Sequence, residues 1–345
     1  MKFRFWTLAI LGTLLAASLC SCKSNSSAAA EGVKLQGAGA TFPAPLYSTW
    51  FKTYSEDHPD VQVDYQSIGS GGGKKSVIDK TVDFGASDAA MTQAEMDKVE
   101  GGVQLLPMTA GAIVIAYNLD GNPTLNLSRK VYSGIFLGTI KNWDDPAIAA
   151  SNPGVKLPNL PINVIVRSDG SGTSYVFSQH LGAINPDFAK EVGTNTMPNW
   201  PVGTKSKGNE GVTASLKTTP GSIGYVEYGY AKSQGLTFAN LENKSGKYVT
   251  ASTASGQAAL ASIELPANLI AWGPDPSASD AYPIVTYTWM IFYRKYPDAK
   301  KLAAVQDLIK YGLSEGQKNS EAMGYIPLPA SVVAKDMAAI PTITN

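Results

Sequence analysis

Two hydrophobic rhythms alternate along the chain. Residues 61–65 (VQVDY) alternate apolar and polar with a period of two, and 82–86 (VDFGA) is a second short strand of the same kind. Residues 111–118 (GAIVIAYN) are continuously apolar, as expected of a strand buried on both faces. Further strands are expected at 162–167 (INVIVR), 223–225 and 284–293 (IVTYTWMIFY). Between them the apolar spacing lengthens to that of helices at 76–80, 92–99 and 297–311. Thr92 followed by Glu95 three residues later is a capping box that opens the second of these. Strands alternating with helices predict an α/β fold with mostly parallel sheets.

The first twenty-two residues read differently. Lys2 and Arg4 precede a short apolar stretch over 8–19, interrupted by Gly12 and Thr13. That stretch is too short to span a bilayer and reads as a secretory signal. Leu19-Cys20-Ser21-Cys22 matches the bacterial lipoprotein cleavage box, with Cys22 as the lipid-bearing residue; an ordinary signal peptide cut nearby is the alternative. Residues 23–31 (KSNSSAAAE) form a polar, small-residue tether. The remainder is slightly acidic and, at ~100–200 residues per domain, long enough for two lobes. No repeat or composition break marks a linker, so the lobes are expected to be joined through ordered strands.

Composition narrows the chemistry. Of the 345 residues two are histidine and two are cysteine, and the cysteines sit together at 20 and 22. A disulfide framework or a Cys-rich zinc site in the body of the chain is excluded, and His58 and His180 alone do not make the usual three-ligand zinc centre. Lys plus Arg equals Asp plus Glu at 28 each, so no overall field draws the chain to nucleic acid. No cofactor motif is evident.

Three glycine-rich segments, each just before a helix, carry the candidate site: 37–43 (GAGATFP), 69–73 (GSGGG) and 169–174 (DGSGTS). Pro43 suits the first position of a helix. A helix start presents unpaired N–H groups and about half a positive charge, glycine lets the backbone approach a ligand closely, and Ser and Thr add donors. Arg167 lies two residues before the third segment. Together they point to an oxyanion. Two nearby motifs fail. Residues 69–76 (GSGGGKKS) have lysine where a P-loop needs its second glycine, and 312–316 (GLSEG) follows a helix where a nucleophile elbow needs a strand, so Gly312 reads as a helix C-cap. Trp50, Trp143, Trp200, Trp272 and Trp289 read as core and surface filling.

Residues 37–45 (GAGATFPAP), 82–89 (VDFGASDA), 138–145 (GTIKNWDD), 167–174 (RSDGSGTS), 220–230 (PGSIGYVEYGY) and 325–333 (YIPLPASVV) resemble, in order and spacing, the phosphate-binding protein of the bacterial high-affinity phosphate ABC transporter. The resemblance runs from about residue 35 to 335. It implies a two-lobed periplasmic-binding-protein fold of type II, with two interlobe strand crossovers near 113–118 and 284–290. Lobe I would comprise 32–113 plus 289–345, and lobe II 114–288. By motif, Ala40, Thr41, Phe42, Ser70 and Asp88 from one lobe and Arg167, Asp169, Ser171, Gly172 and Thr173 from the other would hold inorganic phosphate. The sequence departs from the pattern at Ser168, where relatives often carry alanine, and in two lysines after Gly73 that would make the cleft mouth more basic.

Each role has its own physical reason. Hydroxyls and helix-start N–H groups donate, Arg167 offers a two-bond fork, and Asp169 braces it. Asp88 would accept the proton that phosphate keeps near neutral pH and sulfate lacks. The expected partners are phosphate, an ABC permease and, through the lipid, a membrane, with no catalysis. A secreted phosphatase and a receptor for another tetrahedral oxyanion are the alternatives; arsenate carries a similar proton, so Asp88 does not exclude it.

Overall fold

The computed structural model describes residues 32–345. The expected signal, Cys22 and tether lie outside them. The chain begins with β1 (Val33–Gly39), α1 (Ala44–Asp57), β2 (Val61–Ser67), α2 (Ser70–Ile78), β3 (Phe84–Ser87), α3 (Gln93–Met96) and a long β4 (Val103–Tyr117). It continues through β5 (Asn126–Leu127), α4 (Arg129–Leu137), α5 (Pro146–Ala150), β6 (Asn163–Arg167), α6 (Gly172–Ile184), α7 (Pro186–Glu191), β7 (Thr204–Ser206) and α8 (Gly208–Thr218). Then come β8 (Ser222–Glu227), α9 (Tyr228–Gln234), β9 (Thr237–Phe238), β10 (Asn240–Glu242), β11 (Tyr248–Val249) and α10 (Thr253–Leu260). It closes with β12 (Val285–Tyr293), α11 (Ala299–Leu313) and α12 (Ala330–Ala339).

The main sheet has the order β2-β1-β3-β12-β4-β8-β6-β7, with β9 also paired to β4. Within each half the strands are parallel: β1 with β2 and β3, and β6 with β7 and β8. The centre is antiparallel, because β12 runs against both β3 and β4, and β4 against β8. The expectation of mostly parallel sheets therefore holds in the two halves and fails between them. β4 pairs with β12 up to Ala112 and with β8 from Ile113, so one continuous strand serves both halves. This is the two-lobed periplasmic-binding-protein fold.

Three local departures from the sequence reading have physical causes. α2 begins at Ser70 and carries the glycine run inside it. Glycine in a helix costs about 0.5–1 kcal/mol relative to alanine, which is why the run reads as loop. Here α2 lies so close on the sheet that a Cβ on Gly73 would stand 2.5 Å from Gly39 Cα and 2.7 Å from Ala86 O. β4 begins eight residues before the apolar run at Gly111 and includes Pro107, which reads as a strand breaker. The register shifts there, Thr288 facing Thr109 and Trp289 facing Pro107, so Met108 is the extra residue of a bulge that accommodates the missing N–H. Gly312 lies within α11, whose cap is Ser314. A Cβ on Gly312 would meet Met108 at 2.7 Å and Trp50 at 3.1 Å, so its smallness serves packing rather than capping. The Thr92–Glu95 capping box is present as expected. Pro43 occupies the N-cap of α1 rather than its first turn.

Candidate anion-binding site

Every candidate residue sits at or just beyond the carboxyl end of a parallel strand, where α/β folds place ligands. Ala40, Thr41 and Phe42 follow β1, Ser70 follows β2, and Asp88 follows β3. Arg167 ends β6, and Asp169, Ser171, Gly172 and Thr173 lead into α6. The strand ends of the two halves face each other. Gly71 N–H donates to Gly170 O at 2.8 Å, and Ser67 Oγ donates to Glu210 Oε1 at 2.8 Å. Tyr230 Oη donates to Thr41 O at 2.7 Å. Ala40, Thr41, Phe42, Ser70, Asp88, Arg167, Ser171 and Thr173 are all at most 5% exposed.

Glycine is required where the halves meet. Gly69 has φ +86°, and a Cβ there would stand 2.3 Å from Asp169 Oδ2. A Cβ on Gly172 would meet Ser70 Oγ at 2.5 Å and Asp88 Oδ2 at 2.6 Å, which also shows how near the Asp88 carboxyl lies to the start of α6.

Arg167 is anchored by Asp169, its Nε donating to Oδ1 at 2.8 Å and its Nη2 to Oδ2 at 2.5 Å. Nη1 donates to Thr173 Oγ1 at 3.3 Å. Three of the five guanidinium N–H groups are thus engaged, leaving one on each terminal nitrogen, enough for a two-bond clamp. Asp169 also accepts from Gly208 N–H at 3.0 Å. Desolvation pushes its pKa up, but the Arg167 bonds and charge outweigh that and hold it below the usual carboxylate value.

Asp88 behaves oppositely. Burial raises its pKa to about 7, against the lowering effects of a hydrogen bond from Thr288 and the charge of Arg167. Ser70 Oγ accepts from Asp88 N–H at 3.2 Å, and Ser171 Oγ caps α6 by accepting from Ser174 N–H at 2.9 Å; each hydroxyl keeps its proton to donate. Ala40 contributes position, since its N–H is bonded to Ala86 O and its carbonyl to Tyr65 Oη. Lys74 and Lys75 do not make the mouth basic: they pair with Glu95 and Asp79.

Two neighbours escaped the sequence reading. Asn209, at the start of α8, bonds to both Thr41 and Thr173. Trp272 is not simple filling: its Nε1 donates to Asp88 O at 3.3 Å, and its ring lies 5.5 Å from Tyr175 and 5.4 Å from Trp289. The segment bearing it is fixed to the second half by Arg129, which forks onto Asp275 at 2.7 and 2.8 Å, and by His180 Nδ1, 2.6 Å from Pro274 O. Burial lowers the His180 pKa to about 4, so it is neutral and its Nδ1–H donates to that carbonyl.

A family model described as a PBP superfamily domain matches residues 25–315. The phosphate-binding protein PstS of Pasteurella multocida is 38% identical over 309 residues, covering 88% of this chain and 89% of its own. That of Xylella fastidiosa is 36% identical over 309 residues, covering 88% and 84%. The chain belongs to the PstS phosphate-binding protein family. In fold it matches a high-affinity periplasmic phosphate-binding protein bound with phosphate, with a TM-score of 0.74 at 22% identity over 89% of this chain and 94% of the other. A putative phosphate ABC transporter substrate-binding protein with bound phosphate from Clostridium perfringens matches with a TM-score of 0.61 at 17% identity, covering 86% and 100%. Among the described residues no helix is long and apolar enough to cross a membrane.

Proposed function

We propose that the chain is an extracytoplasmic receptor that binds inorganic phosphate between its two lobes and delivers it to an ABC permease. The observation that carries this reading is the pairing of a donor cluster with one buried acid. Hydroxyls, helix-start N–H groups and the free end of the Arg167 fork surround oxygen acceptors, while the buried Asp88 carboxyl accepts a hydrogen bond from the proton that phosphate keeps. The names of the relatives support the same ligand.

The phosphate ligands are Thr41, Phe42, Ser70, Asp88, Arg167, Ser171, Gly172 and Thr173, with Ala40 shaping the loop and Asp169 bracing the arginine. Binding without chemistry is favoured by the 312–316 segment, which leaves α11 for a 3-10 turn with Ser314 Oγ donating to Lys310 O at 2.7 Å, unlike a strand-to-helix elbow. Lobe I comprises 32–113 plus 289–345 and lobe II 114–288, supported by the β4 partner change after Ala112 and the register shift at Thr288/Trp289. A lipid on Cys22 would hold the protein at the membrane. Calorimetric titration with phosphate, alone and in excess sulfate, tests the receptor reading: tight binding unmoved by sulfate is expected, and equal competition refutes it.

A further inference from the structure

Asn209 is fully buried and reaches a hydroxyl from each half of the fold. Its backbone N–H donates to Thr41 Oγ1 at 3.1 Å. Its Nδ2 donates to the same oxygen at 2.8 Å and to Thr173 Oγ1 at 3.2 Å. Its Oδ1 accepts from Glu227 N–H at 3.0 Å. A backbone N–H only donates, so Oδ1 must face Glu227 and the amide nitrogen must face the threonines.

The partners of the two hydroxyls are all obligate donors. Thr41 Oγ1 receives two N–H groups of Asn209; Thr173 Oγ1 receives Asn209 Nδ2 and Arg167 Nη1. Each hydroxyl oxygen has two lone pairs, and in both residues these two bonds fill them. What remains to each is its proton, turned away from Asn209. Had a carboxylate or carbonyl stood in that place, the protons would point to it and lone pairs would face the ligand.

We propose that Asn209 is the positioning residue that fixes Thr41 and Thr173 as hydrogen-bond donors to the bound anion. The assignment rests on the phosphate-receptor reading of the cleft. It makes discrimination a matter of hydroxyl direction as well as charge: a ligand must offer acceptors to both threonines at once. It also places one amide across both halves, so the donor arrangement is complete only when they have closed.

The test is calorimetric titration with inorganic phosphate of Asn209→Ala in three backgrounds: wild type, Thr41→Val and Thr173→Val. Loss of hydroxyl direction is expected to weaken phosphate binding roughly tenfold or more in the wild-type background. With one hydroxyl already removed, the further loss is expected to shrink by about threefold or more. Equal losses in all backgrounds, the signature of a merely structural role, overturn the proposal, as does unchanged affinity in Asn209→Ala. If Asn209→Ala does not fold, Asn209→Asp, of the same shape, decides in the same way: a loss smaller in the valine backgrounds supports the proposal and an equal loss overturns it. A wild-type chain that does not bind phosphate refutes the receptor reading itself, an outcome distinct from equal losses in a chain that binds.

Discussion

Thr288 Oγ1 donates to Asp88 Oδ1 at 2.7 Å, tying a residue of β12 opposite the β4 bulge to the carboxyl that follows β3. One carboxyl oxygen is thereby spent on the protein and the other, Oδ2, is left beside the start of α6. A single oriented acceptor can read whether a tetrahedral anion carries a proton. Asp88→Asn should cut the preference for phosphate over sulfate by ~10²-fold or more, since a site built around a buried hydrogen bond rejects an analogue lacking it by ~10⁴-fold. Competition titrations measure the ratio, and an unchanged ratio removes Asp88 from its role.

The raised pKa of Asp88 also fixes the sign of a pH effect. The folded carboxyl binds its proton up to about pH 7, whereas the unfolded one releases it near the ordinary 3.8. Its contribution to stability is therefore complete below the lower value and lost as pH rises through the upper one. Asp336 on α12, buried with both oxygens unpartnered among the described residues, adds the same sign up to about 8. The melting temperature of the ligand-free protein should fall between about pH 5 and pH 8. Asp336→Leu should flatten the upper part of that fall without changing phosphate affinity. A scan series for both proteins decides it, and parallel curves count against the assignment.

Arg167 and Asp169 are 1% and 11% exposed as side chains, so removing one strands the other. Arg167→Ala should abolish measurable phosphate binding and destabilise the fold by about 3–5 kcal/mol, as for other broken buried pairs. The double change Arg167→Ala with Asp169→Ala should recover much of the stability and none of the binding. Denaturant unfolding beside calorimetry separates the two effects.

Gly172→Ala places a methyl group within contact of Ser70 and Asp88. The halves should then fail to close and phosphate affinity should drop by ~10²-fold or more, about 3 kcal/mol. Small-angle scattering with saturating phosphate should show compaction in the wild type and none in the variant.

Cys22→Ala should leave ligand binding intact while releasing the protein from membranes. Fractionation of cells and fatty-acid labelling test the anchor, and label retained in the variant excludes Cys22.

The candidate loops were legible because three segments of glycine, serine and threonine stand before helices in one chain, where a single one would read as an ordinary turn or N-cap. Arg167 with Asp169 was legible through the motif at 167–174 that carries the family resemblance. Asn209 was not, because it is an ordinary polar residue opening a helix, and its meaning comes from Thr41, 168 positions away. The α2 start and the Met108 bulge were hidden for the opposite reason. Their local signals, a glycine run and a proline, argue against helix and strand, and tertiary packing overrides them.

Trp272 is held to the Asp88 carbonyl between Tyr175 of α6 and Trp289 of β12. Parting the halves would take Trp289 and the carbonyl acceptor from this indole together, while Tyr175, of its own half, stays beside it. The chain thus carries an optical gauge of its own closure, and ultraviolet emission followed after rapid mixing with phosphate would time the motion without any attached dye.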